Sequence, residues 1–331
     1  MFDIFKNNPK TEEVKPVPED VIKPGGGHGD GIVIIKKPEP AVCGGTDATL
    51  DTKAPKEILS DDIISFSVSS AFDTLVIPAG KFKAERLYRF SAFAAPSGKG
   101  TFVFLEKATD KTPGNSPEYS WGVFRDDLLP AIASLVRECG LAKQNGYHST
   151  THGLPRNFGG SVNIRYADGE KISFSDNQTP ILTYDTGLRI YGFFNKALKG
   201  KKAVLPELSG LEAVKYTEER KNGGYTKATL TVNADGTAVN EKASKYDDDK
   251  VYKSVKDVSA ETVTAIKETV KTCGVLAWSG LPKAEYFFGD PETLTFVFKS
   301  GEEIAVTNDR ALPDRLKGGF FDIVLELTAK N

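Results

Sequence analysis

Two imidazoles four positions apart, His148 and His152, are the residues of this chain whose type and spacing come nearest to a catalytic motif. On a helix that spacing presents both rings on one side, as some zinc and iron sites require. The surrounding stretch, Asn145-Gly-Tyr-His-Ser-Thr-Thr-His-Gly-Leu-Pro-Arg-Asn-Phe-Gly-Gly160, predicts a loop instead, because Gly146, Gly153 and Pro155 interrupt helical continuity. It holds no Asp or Glu for a third ligand. Cys139 would complete a site only by turning away from the core. A metal at His148 and His152 would make the protein a metal-dependent hydrolase; no other cofactor is expected. Tyr147, Arg156, Arg165 and Arg189 form a second candidate set, suited to an anionic ligand if the fold gathers them near the same loop.

Other motifs carry less chemistry. Gly25-Gly-Gly-His-Gly-Asp-Gly31 has the glycine content of a phosphate-cradling loop without a following Lys-Ser/Thr. Asp247-Asp-Asp249 lacks the alternating oxygen ligands and closing glutamate of a calcium hand, and is expected to be a solvated turn. There is no nucleophile-elbow serine and no dinucleotide fingerprint.

The elements that must position these residues are announced by an internal echo. Ser161-Val-Asn-Ile-Arg-Tyr-Ala-Asp-Gly-Glu-Lys-Ile-Ser-Phe-Ser175 and Thr293-Leu-Thr-Phe-Val-Phe-Lys-Ser-Gly-Glu-Glu-Ile-Ala-Val-Thr307 share hydrophobic alternation and a turn glycine, Gly169 and Gly301. Both read as hairpins with one buried face and one wet face. Upstream of each, an apolar stripe at helical spacing ends in Cys-Gly: Leu128 to Cys139 before Gly140, and Val263 to Cys273 before Gly274. Matching positions beside a glycine cap mark both cysteines as core residues rather than nucleophiles. Ser259 is a good N-cap for the second of these helices, with Glu261 in its first turn. Phe193-Phe194 and Phe320-Phe321 are echoed in two closing helices and are expected to anchor the core.

The expected fold is therefore α+β: two tandem repeats, at 58–203 and 204–331, each an antiparallel β-meander, a helix, a β-hairpin and a helix. Three strands are predicted in each meander: 63–72, 86–95 and 100–107, then 214–219, 225–232 and 237–243. A short joint around Lys199 to Pro206 predicts contact between the repeats.

Residues 1–57 differ in kind. They hold seven of the 18 prolines and the glycine cluster, so they are expected to be a flexible, extended arm. Within it, residues 31–36 have the β-branched density of a strand, which would dock on its own sheet or add to a partner's.

Composition excludes several classes. Forty-three basic against 45 acidic residues leave no field to attract nucleic acid, and the longest aliphatic run, Ile32 to Ile35, is too short for a membrane span. Three scattered cysteines do not make a disulfide framework, and the first residues lack a secretory signal pattern, so the cytoplasm is expected. The expected function is a non-enzymatic binding or adaptor protein. Its ligand could also occupy a groove between the two repeats.

Overall fold

Alternation with a period of two builds most of this molecule. The computed structural model describes residues 32–36, 45–72, 86–109, 117–153, 159–246 and 250–329. In the first half lie β1 (Ile32–Lys36), β2 (Thr46–Asp51), β3 (Ile63–Ala71), β4 (Leu87–Ser97), β5 (Gly100–Thr109), β6 (Glu118–Phe124), α1 (Leu129–Glu138), β7 (Tyr147–Thr151), β8 (Gly160–Tyr166), β9 (Lys171–Asp176) and α2 (Tyr184–Ala197). The second half holds β10 (Leu211–Glu219), β11 (Tyr225–Val232), β12 (Ala238–Lys245), β13 (Val251–Val258), α3 (Ala260–Cys273), β14 (Glu292–Phe298), β15 (Glu303–Thr307) and α4 (Asp314–Thr328). Among the described residues the content is mixed α+β, with four α-helices and two sheets.

A nine-stranded sheet runs β1-β2-β7-β9-β8-β3-β4-β5-β6, and a six-stranded sheet runs β13-β12-β11-β10-β14-β15. Every pairing is antiparallel except β7 with β9. The run β9-β8-β3-β4-β5-β6 in the first sheet has the same strand connections as β15-β14-β10-β11-β12-β13 in the second.

The helices start and stop where their sequences direct. The Ser259 side chain accepts from the Thr262 amide at 3.3 Å, and Thr183 accepts from the Thr186 amide at 3.2 Å, each meeting an otherwise unpaired first-turn donor. Gly140 and Gly274, after α1 and α3, take left-handed φ values of 62° and 67°. Pro130 is tolerated because it lies in the first turn of α1.

Two apolar cores result. In one, Ile132 and Val136 of α1 and Ile190 and Phe194 of α2 pack on Phe66, Val68, Ile164 and Phe174 of the nine-stranded sheet. In the other, Val263, Ile266 and Val270 of α3 and Phe320 and Ile323 of α4 pack on Val214, Leu230 and Phe296 of the six-stranded sheet. This second core also takes in Phe93, Phe102, Phe104 and Val123 from the opposite face of the nine-stranded sheet. Trp121 of β6 donates its Nε1–H to the Thr272 carbonyl of α3 at 2.9 Å. The layers are therefore α1 and α2, nine-stranded sheet, α3 and α4, six-stranded sheet.

Several expectations need revision. Each meander has a fourth strand, β6 or β13, that the turn signals did not mark. The stretch read as a loop at 145–160 contains β7, which ends in the β-branched pair Thr150-Thr151 and is held between β2 and β9. Residues 46–51, placed by sequence in the arm, form β2, with Ala48 only 1% exposed. β1 pairs with β2 as the outermost strand of its own sheet, while 1–31 and 37–44 lie outside the described residues. Phe194 and Phe320 are core residues, but Phe321 is 49% exposed on the outer side of α4. The Asp247 to Asp249 turn also falls outside the described residues.

Candidate functional site

The period of two that buries one side of the hairpin β8–β9 turns the other side into a polar floor. Register places Ser67 of β3 opposite Asn163 and Asn163 opposite Ser173, while Ser69 faces Ser161 and Ser161 faces Ser175. His148 of β7 then stands beside Ser175. Helices α3 and α4 cover this sheet face only over β4 to β6. Beyond them the described residues leave the floor of hydroxyl and amide groups open, and the segments around Lys283 to Tyr286 and Arg310 to Lys317 rise beside it as a wall.

The space between floor and wall is a groove made of two adjoining cavities of about 400 and about 500 Å³. They share His148, Asn163, Ser173, Glu285 and Tyr286. Together these volumes fall in the range of small-molecule sites. The wall segment at 283–286 is fixed to the floor. Arg165 donates from Nη2 to the Lys283 carbonyl at 2.9 Å, and Lys171 Nζ lies 3.5 Å from Glu285 Oε1. Asn145, 2% exposed, holds the groove end together: its Nδ2 donates to the carbonyls of Pro55 and Lys171, and its Oδ1 accepts from the Ser173 amide.

The wall has its own anchor in Asp309, 5% exposed. Burial opposes its charge, yet the bond from the Thr307 hydroxyl and the neighbouring Lys283 and Arg310 hold its carboxyl below the usual range. Arg310 donates in addition to Thr307 Oγ1 and to the Leu281 carbonyl, so its guanidinium is set rigidly at the groove.

The groove is net cationic. Lys53, Arg165, Lys171, Arg310 and Lys317 line it against Asp51 and Glu285. His148 Nδ1 lies 3.0 Å from Ser175 Oγ. Burial, reinforced by the Lys171 charge, lowers its pKa, which favours the neutral imidazole. Among the described residues no carboxylate is bonded to that ring, so nothing orients it as the base of a hydrolytic triad.

The candidates named from sequence divide accordingly. His148 and Arg165 line the groove. Tyr147 points to the other side of β7 and packs on the first core. Arg189 lies on α2, where it pairs with Glu138 at 2.6 Å. Arg156 lies outside the described residues. His152 follows the end of β7 and bonds exposed Asp47 at 2.9 Å. Four residues of extended chain separate it from His148 by roughly 13 Å. Among the described residues no group of three or more His, Cys, Asp or Glu is placed to hold a metal. Sequence reasoning missed Ser173, Ser175, Lys171, Glu285, Tyr286 and Arg310. The alternation signal marked the two serines as a wet face without saying what faces them.

The chain matches no protein-family model, and no curated protein matches it.

Proposed function

We propose that this is a non-enzymatic binding protein of two tandem α+β repeats, and that its ligand lies in the groove between them. The observation that carries this reading is the floor of Ser67, Asn163, Ser173 and Ser175 set beside Arg165, Lys171 and Arg310. Uncharged hydroxyl and amide groups exchange hydrogen bonds with hydroxyls, and fixed guanidinium and ammonium groups take a carboxylate or phosphate. The ligand class is thus a small hydroxylated anion. The tandem reading is supported by the shared strand connections of the two sheets and by the two Cys-Gly helix ends.

An adaptor role would use β1, the end strand of the nine-stranded sheet among the described residues, by strand addition. The compartment we propose is the cytoplasm, supported by the scattered cysteines. The rival hydrolase reading has weaker support, since His148 and His152 are engaged by Ser175 and Asp47 rather than by each other.

A thermal-shift panel of sugar phosphates and hydroxycarboxylates tests the proposal. The expected result is stabilisation by at least one member that Arg165→Ala abolishes. Stabilisation that survives Arg165→Ala, or labelling of Ser175 by a serine-hydrolase probe, would refute it.

A further inference from the structure

The six-stranded sheet borders a second cavity, none of whose lining residues belongs to the groove. On the face that packs α3 and α4, β11 presents Ala228 and Leu230 to the core. Its neighbour β12 breaks that pattern with Asn240 and Ser244, only 2% and 3% exposed. Asn240 donates its Nδ2 to the Leu327 carbonyl at 2.8 Å, which fixes the amide orientation and leaves Oδ1 as an acceptor. Among the described residues, Asn240 Oδ1 and Ser244 Oγ are the buried side-chain polar atoms with no hydrogen-bond partner. Two such atoms on one strand face are unusual, because burial without a partner costs free energy.

Both residues line the same trough, a cavity of about 610 Å³ beside the end of α4. Register sets Lys256 of β13 opposite Asn240, and Tyr252 opposite Ser244. Lys242 and Lys253 also line the trough, and among the described residues no carboxylate does. Tyr252 is 51% exposed and stands 6.0 Å, ring to ring, from Tyr246. From Asn240 to Ser244 the floor is roughly 13 Å long.

We propose that this trough binds a small organic anion of mononucleotide size. Its ring would lie on Tyr252 with an edge atom bonded to Ser244, a hydroxyl or amino group would donate to Asn240 Oδ1, and its acidic group would meet Lys256. The lysines that line the trough select the anion. An acceptor held in one orientation selects a donor on the ligand. An inorganic ion satisfies only the first requirement, and a neutral nucleoside only the second.

Calorimetric titration of the full chain with AMP, adenosine and inorganic phosphate separates these demands. AMP is expected to bind at least about tenfold tighter than either fragment, and Lys256→Glu or Tyr252→Ala to weaken it by about tenfold or more. Both substituted side chains are solvent-accessible, and circular dichroism verifies that the variants fold. The titrations are run in the Arg165→Ala background, where the groove proposed above is disabled, so that AMP binding which remains belongs to the trough; AMP binding lost in that background would overturn the proposal. AMP binding no tighter than phosphate, affinity indifferent to Lys256→Glu and Tyr252→Ala, or absence of binding by AMP, GMP and UMP would each overturn the proposal.

Discussion

At Asp309 a buried carboxylate is made favourable by what surrounds it, and the groove wall depends on that arrangement. Asp309→Asn keeps the shape and removes the charge that Lys283 and Arg310 answer. It is expected to cost about 1–3 kcal/mol in denaturant unfolding. Because the folded carboxyl titrates below its ordinary value, this stabilisation is present above that value and is lost as pH falls through the folded one. His148 has a depressed pKa too, with burial the larger cause. As pH falls below the ordinary histidine value, the unfolded chain takes up a proton first, so stability drops. His148→Gln should flatten the stability profile as pH falls below about 6.5, read by thermal melts. Neither behaviour was legible in the sequence, since Lys283 reaches Asp309 and Lys171 comes near His148 only through the fold.

Among the elements, the glycine that ends α3 does more than the one that ends α1. Both are left-handed, so alanine strains either backbone by about 1 kcal/mol. A Cβ at Gly140 would touch only the flexible end of Lys143 at 3.5 Å, whereas one at Gly274 would stand 2.6 Å from the Trp121 ring. Gly274→Ala should therefore lower the melting temperature clearly more than Gly140→Ala. The caps, the hairpin turns and the apolar stripes of the helices were readable because each is a local pattern. The strands β6, β7 and β13 were not. β13 is an edge strand whose residues are mostly exposed, so no apolar alternation marks it. In β7, His, Ser and Thr gain strand conformation from neighbours distant in sequence. The polar floor of the groove was visible as a wet face. That it faces Glu285 and Tyr286 followed only from how the halves pack.

For the molecule as a whole, residues 32–331 form one compact unit, and the second core joins its halves. Phe102 belongs to the first half and is wholly buried in that shared core. Phe102→Ala is expected to cost about 3–5 kcal/mol. It should leave unfolding as one transition, with Trp121 and Trp278 fluorescence coinciding with far-ultraviolet circular dichroism; separated curves would mean that the halves melt independently. The groove exists only while this packing holds, which ties ligand binding to the integrity of both halves. Hydrogen-exchange mass spectrometry, with and without the sugar phosphate or hydroxycarboxylate giving the largest thermal shift, tests that claim most directly. The account predicts protection of β8, β9 and residues 283–286 together. Protection confined to one half, or lying away from the groove, would contradict it.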